Sequence, residues 1–168
     1  MILVADDLGT DWVGAYGETP GLPTATPRID ALAEQGLLFR TAWAYPVCST
    51  ARAALLTGNH AYRNGLGMAI NGELPDEQVP ASALGLPELL AAGGADYRTV
   101  ALGKWHLGPP GERTSMHATT ALGFDQHQGA YANLSDYYDW IKVVAGSTVT
   151  SHDYATTDTA DDAVWFIS

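Results

Sequence analysis

The chain has 168 residues, 46% of them hydrophobic and 16% charged, with a formal net charge of -11. That balance fits a soluble globular domain and is too apolar for a disordered tail, while its acidity repels nucleic acid and anionic lipid. A single cysteine excludes an internal disulfide framework, and no apolar run approaches the ~20 residues that cross a bilayer.

Met1 to Ala5 lacks the basic flank and long apolar core of a signal peptide. Ile2 to Ala5 reads instead as a buried strand of a parallel sheet, entered partway along and stopped at Asp6-Asp7. A loop rich in Gly and Pro runs through Pro23. Thr26-Pro27 then opens a helix, with Thr26 as cap, Pro27 at the first helical position and Gly36 as the stop. Ile29, Leu32 and Ala33 form its expected apolar stripe. Leu37 to Ala44 is expected as a second strand. Cys48 to Arg52 reads as a turn into a helix from Ala51 to Thr57, ended by Gly58.

Residues 59 to 82 read as irregular, and Pro87 to Ala92 as a short helix closed by Gly93-Gly94. Arg98 to Leu102 is the third expected strand and leads directly into Gly103-Lys104-Trp105-His106-Leu107-Gly108. A loop rich in Gly, Pro and Thr follows, and residues 109 to 152 carry no clear pattern. Asp158 to Ile167 reads as a helix with Ala160, Ala163, Val164 and Ile167 on one side. Strands alternating with helices predict an α/β fold, a mostly parallel sheet with helices on both faces.

Each expected strand ends in a burst of polar residues: Asp6-Asp7, Cys48 to Arg52, and Lys104 with His106. Open α/β sheets bind ligands at the carboxyl ends of their strands, so the three bursts are expected to converge. Adjacent aspartates offer hard oxygen ligands to Ca²⁺ or Mg²⁺, or simply cap a turn. Cys48 precedes a helix start, where backbone N–H groups favour an anion and activate a thiol; a lone cysteine is also a small buried hydrophobe. Arg52 lies one helical turn further on and reaches the same anion with its planar fork, or faces solvent. Lys104 and His106 alternate along an extended stretch, so both side chains face one way, with Trp105 turned into packing. A lysine there supplies charge to an oxyanion and a histidine supplies proton transfer. Together these parts suit transfer of a tetrahedral anion, phosphoryl or sulfuryl.

Four segments carry a resemblance to the type I sulfatases of the alkaline phosphatase superfamily. They are Val4 to Gly9, Thr26 to Gly36, Cys48 to Gly58 and Gly103 to Gly108, in family order. The resemblance implies that Cys48 is converted to formylglycine by a formylglycine-generating enzyme, and that the hydrated aldehyde attacks the sulfur of a sulfate ester. It implies Ca²⁺, with Mg²⁺ as the other option, on Asp6, Asp7 and the modified Cys48. It further implies that Arg52 and His106 hold the nucleophile and that Lys104 holds the sulfate oxygens. A sulfated small molecule or carbohydrate is the implied substrate, and a periplasmic or secreted setting the implied one.

The usual signature has Pro or Ala two positions after the cysteine, where this chain has Thr50. The family's later Asp-Asn pair and second His and Lys find no match after His106. The chain is therefore expected to be an N-terminal fragment that binds Ca²⁺ weakly and lacks turnover alone. The alternatives are a phosphate or phosphonate ester hydrolase of the same superfamily, a non-catalytic remnant, and an unrelated cysteine hydrolase, which needs a basic partner for its thiolate.

Overall fold

The computed structural model describes residues 1–21, 25–71, 77–108 and 121–168. Parts of the loop read through Pro23, of the irregular stretch 59 to 82, and of the loop after Gly108 lie outside the described residues. The chain divides into two compact units, residues 1–44 and 45–168.

In the first unit two short 3-10 turns, Thr10–Trp12 and Gly14–Tyr16, precede helix α1, Pro27–Gln35. Pro27 sits in the first turn, where its missing N–H is no loss, and Gly36 follows the last turn. Thr26 does not cap the helix. Its hydroxyl donates to Asp30 Oδ1 at 3.0 Å and accepts the Gly14 N–H at 2.9 Å. Asp30 Oδ1 also accepts the Ala15 N–H at 2.7 Å. Gly14 is required by this approach, because a Cβ there would stand 2.6 Å from Asp30 Oδ2.

Neither strand expected in this unit forms. Ile2 to Ala5 and Leu37 to Ala44 are irregular, with Ile2, Leu3, Val4, Leu37, Phe39 and Trp43 exposed. A strand exists only through a ladder of hydrogen bonds, and within this unit neither run has a strand partner. Ile29 and Leu32 are also exposed, so the apolar stripe of α1 is not a core face. Ile29 and Ala33 instead line a groove with Leu8, Val13 and Leu38.

The second unit contains helices α2 (Cys48–Thr57), α3 (Ala61–Asn64), α4 (Leu86–Ala92) and α5 (Ala155–Ile167). Its strands are β1 (Val100–Leu102), β2 (Gln126–Gly129), β3 (Trp140–Val144) and β4 (Ser147–Ser151), in the sheet order β1-β2-β3-β4. β1 and β2 are parallel, whereas β2–β3 and β3–β4 are antiparallel. The α/β class holds, and the described sheet is mixed. Ala145 and Gly146 join β3 to β4 with φ of 49° and 79°, the pair of positive values that a type I′ hairpin turn requires.

α2 starts at Cys48, three residues before the expected Ala51, and stops at Gly58 in the left-handed region. α4 matches its expected position, with Glu88 accepting the Gly85 N–H at 2.7 Å. The core under α2 gathers Ala53, Leu66, Ile70, Val79, Trp105 and Leu107 with Leu122. α5 is helical as expected but faces inward with its polar side. Asp158 and Asp162 hold Lys142 of β3, the second at 2.7 Å. Ser151 donates to Asp158 at 2.8 Å, and Gln128 donates to Asp162 at 2.5 Å. Burial alone would push the Lys142 ammonium down, yet the hydrogen bonds and charges of the two aspartates outweigh it and hold it above the usual lysine value. Val164 and Ile167, read as part of an apolar face, are exposed, as is Trp165.

Candidate active site

The loop after β1 is fixed by continuing the parallel ladder beyond the strand. Gly103, Trp105 and His106 donate their N–H groups to the carbonyls of Gln128, Ala130 and Tyr131 at 2.9, 2.8 and 2.8 Å. Two glycines make this possible. Gly103 has φ of 76°, and a Cβ on Gly129 would meet the Gly103 carbonyl oxygen at 2.4 Å. Trp105 is buried as expected, edge-on to Phe124 with centroids 6.0 Å apart. Val79 N–H bonds the Leu107 carbonyl at 2.9 Å and closes the far side of the loop.

His106 departs from the extended geometry expected of residues 104 to 106. Its φ is 56°, in the left-handed region, which breaks the alternation that would set Lys104 and His106 on one side. The imidazole is buried, with Nε2 3.0 Å from the Ile70 carbonyl oxygen and Nδ1 3.2 Å from Cys48 Sγ. A carbonyl can only accept, so Nε2 carries the proton and Nδ1 is left as the acceptor facing sulfur. Cys48 is the first residue of α2, half-buried, where the N–H groups of the first turn lack intrahelical partners.

The same helix end is tied down at two more points. Ser49 Oγ accepts the Ile70 N–H at 3.2 Å, so Ile70 is bonded through both its N–H and its carbonyl. Arg52, one turn beyond Cys48, donates from Nη1 to the Lys104 carbonyl at 2.7 Å. Lys104 thus joins the cluster through its backbone. Thr50 is 1% exposed, and its hydroxyl has no hydrogen-bond partner among the described residues.

The structure therefore brings Cys48, Arg52, Lys104 and His106 together in the second unit. Asp6 and Asp7 belong to the first unit, on an exposed turn in which Asp7 has φ of 55°. Among the described residues no group of three or more His, Cys, Asp or Glu is positioned to hold a metal ion. Ca²⁺ takes ~6–8 oxygens, so this pair by itself does not make a Ca²⁺ site.

Two participants were not singled out from the sequence. Ile70 acts only through its backbone, for which side-chain chemistry gives no signal. His127 of β2 donates from Nε2 to the Gly103 carbonyl at 3.2 Å and lies 5.9 Å from the Trp105 ring. It stands in Gln126-His127-Gln128-Gly129, too polar to announce a buried strand.

In chemical terms the centre holds a thiol at a helix N-terminus, an imidazole against it, and a guanidinium one turn away. The family model described as Sulfatase matches residues 1–167. N-acetylgalactosamine-6-sulfatase of Homo sapiens is 39% identical over 160 residues, covering 83% of this chain and 29% of that protein. Arylsulfatase D of Homo sapiens is 38% identical over 149 residues, with 83% and 24% covered. Among solved structures, Ps i-CgsB in complex with k-i-k-neocarrahexaose superposes with a TM-score of 0.83 at 29% identity, over 98% of this chain and 40% of that one. The putative sulfatase yidJ of Bacteroides fragilis shares the fold, with a TM-score of 0.76 at 23% identity, over 94% of this chain and 37% of that one. The chain spans under a third of the length of these two curated relatives.

Proposed function

The chain belongs to the sulfatase family, and on that premise we propose that it forms part of a sulfatase catalytic domain that hydrolyses sulfate esters through a nucleophile made from Cys48. The observation that carries this reading is the 3.2 Å approach of His106 Nδ1 to Cys48 Sγ, with Nε2 committed to Ile70. Oxidation of Cys48 to formylglycine, by a formylglycine-generating enzyme, would place a hydroxyl nucleophile where Sγ now stands.

The remaining chemistry belongs to the chain's own side chains. His106 Nδ1 takes the proton of the hydroxyl at position 48 as its oxygen bonds sulfur, and gives it to the alcohol oxygen whose bond to sulfur breaks. Its other nitrogen cannot compete, because Nε2–H is held by the Ile70 carbonyl. Arg52 is oriented by the Lys104 carbonyl and puts its positive charge beside the helix N-terminus. With the Lys104 ammonium it neutralises charge gathering on the sulfate oxygens. Asp6 and Asp7 are the carboxylates offered to Ca²⁺, or to Mg²⁺, which would supply Lewis-acid charge when bound. Two carboxylates fall short of the oxygens such an ion takes, so no step is routed through it. For the same reason the 168 residues alone are expected to bind a sulfate ester without turning it over.

A sulfated carbohydrate is the proposed substrate. Support comes from one relative named for N-acetylgalactosamine 6-sulfate chemistry and one similar structure solved with a neocarrahexaose. The proposed setting is the periplasm or the cell exterior. The test is the intact gene product containing these residues, made alongside a formylglycine-generating enzyme and offered matched aryl sulfate and aryl phosphate esters. Preferred turnover of the sulfate is expected. Preferred turnover of the phosphate would replace this reading with a phosphate ester hydrolase.

A further inference from the structure

Away from Cys48, one exposed cluster combines aromatic rings with a positive charge that no carboxylate among the described residues balances. α2 ends at Gly58, and the chain turns through His60 into α3. Tyr45, three residues before Cys48, reaches this turn. Its hydroxyl oxygen accepts the Ala61 N–H at 3.2 Å and lies 2.8 Å from His60 Nδ1. The Tyr45 hydroxyl holds the ring through Nδ1, and the imidazole meets solvent through Nε2. His60 therefore presents its Nε2 edge on an exposed ring.

That ring stacks on Tyr62, with centroids 5.7 Å apart and planes 14° from parallel. The Arg63 guanidinium carbon lies 5.7 Å from the Tyr62 centroid. His60, Tyr62 and Arg63 are all exposed. The chain carries 19 acidic side chains against 8 basic ones, and Lys142 is held by two carboxylates. Arg63 has no carboxylate partner among the described residues. It is kept over a ring instead, an arrangement that holds the planar fork while leaving its N–H edge to solvent.

A guanidinium beside a stacked aromatic pair fits a sugar unit that bears a sulfate group. The apolar side of the sugar packs on the rings, and the sulfate oxygens accept from the guanidinium fork. The cluster also lies at a distance that suits a chain. α2 carries it ~15 Å along the helix from Cys48, while Tyr45 joins it to Cys48 through at most ~10 Å of extended backbone. That separation is too long for the ester being cut and suits another unit of the same molecule.

We propose that His60, Tyr62 and Arg63, oriented by Tyr45, form a subsite for a second sulfated saccharide unit of an oligosaccharide substrate. The proposal rests on the reading of a sulfated carbohydrate substrate. The test is calorimetric titration of the protein with a sulfated carrageenan hexasaccharide and with its desulfated counterpart. Wild type is compared with Arg63→Gln and Tyr62→Ala, each checked for an unchanged thermal melt. Arg63→Gln is expected to weaken the sulfated hexasaccharide about tenfold and to narrow its advantage over the desulfated one. Tyr62→Ala is expected to weaken both saccharides. Wild-type affinity in both variants, or no binding of the sulfated hexasaccharide by wild type, overturns the subsite. Aryl sulfate turnover by wild-type intact gene product judges the sulfatase reading separately, because a small aryl ester does not span the two positions.

Discussion

Acidification should act on this protein through His127. The residue is 3% exposed, its Nε2–H is used by the Gly103 carbonyl, and its Nδ1 has no partner among the described residues. Burial pushes the imidazole down to about 4, outweighing the Gly103 carbonyl, which pulls the other way. An unfolded chain takes up this proton below about pH 6.5, whereas the folded chain refuses it until about pH 4. The contribution to stability is therefore complete above about pH 6.5, declines as pH falls towards 4, and levels off below that. At ~1.36 kcal/mol per unit, the interval corresponds to about 3 kcal/mol. The assay is urea unfolding of wild type and His127→Gln between about pH 7 and about pH 4.5. The glutamine amide can still donate to Gly103, and the other titrating groups cancel in the difference. The variant should gain about 2–3 kcal/mol relative to wild type across that range. A difference that stays constant with pH would show that His127 titrates in the folded protein as it does in water, and the burial argument would fail.

Lys142→Met should lower stability by about 3–5 kcal/mol in urea unfolding, because it leaves Asp158 and Asp162 without their cation. A loss near zero would mean that the two carboxylates are already solvated. Thr50→Val keeps the shape of the side chain and removes a buried hydroxyl without a partner, so the melting midpoint should rise by the equivalent of about 1 kcal/mol. An unchanged or lower midpoint would show that the hydroxyl is satisfied in solution. In the intact gene product, His106→Gln should reduce kcat on an aryl sulfate by about 10²–10⁴ as proton transfer is lost. A kcat within a few-fold of wild type would remove His106 from the reaction.

Local signals in the sequence located several elements well. Pro27 at the start of α1, Gly58 after α2 and Gly94 beyond α4 act through their own backbone preferences, which need no tertiary context. Apolar content misled where pairing decides the outcome. Ile2 to Ala5 and Leu37 to Ala44 have the composition of strands but no strand partner within residues 1–44. The opposite error hid β2, β3 and β4. Their inward positions include His127, Lys142 and Ser151, which are buried because hydrogen bonds and ion pairs satisfy them. α5 was found, yet its inward side was misjudged for the same reason, since Asp158 and Asp162 face Lys142 while Val164 and Ile167 face water. At the site, the side chains Cys48, Arg52 and His106 were legible as chemistry. The Ile70 carbonyl that sets the His106 tautomer was not, because any residue supplies a carbonyl.

The most direct test of the central claim is the mass of the tryptic peptide from Thr41 to Arg52, taken from protein made alongside a formylglycine-generating enzyme. The mass of an aldehyde at position 48 is predicted, which would also show that Thr50 is accepted within the modified segment. A thiol that stays unmodified at Cys48 in all of the protein would contradict the proposed nucleophile. His106 would then stand beside a sulfur atom that the sulfatase reaction does not use.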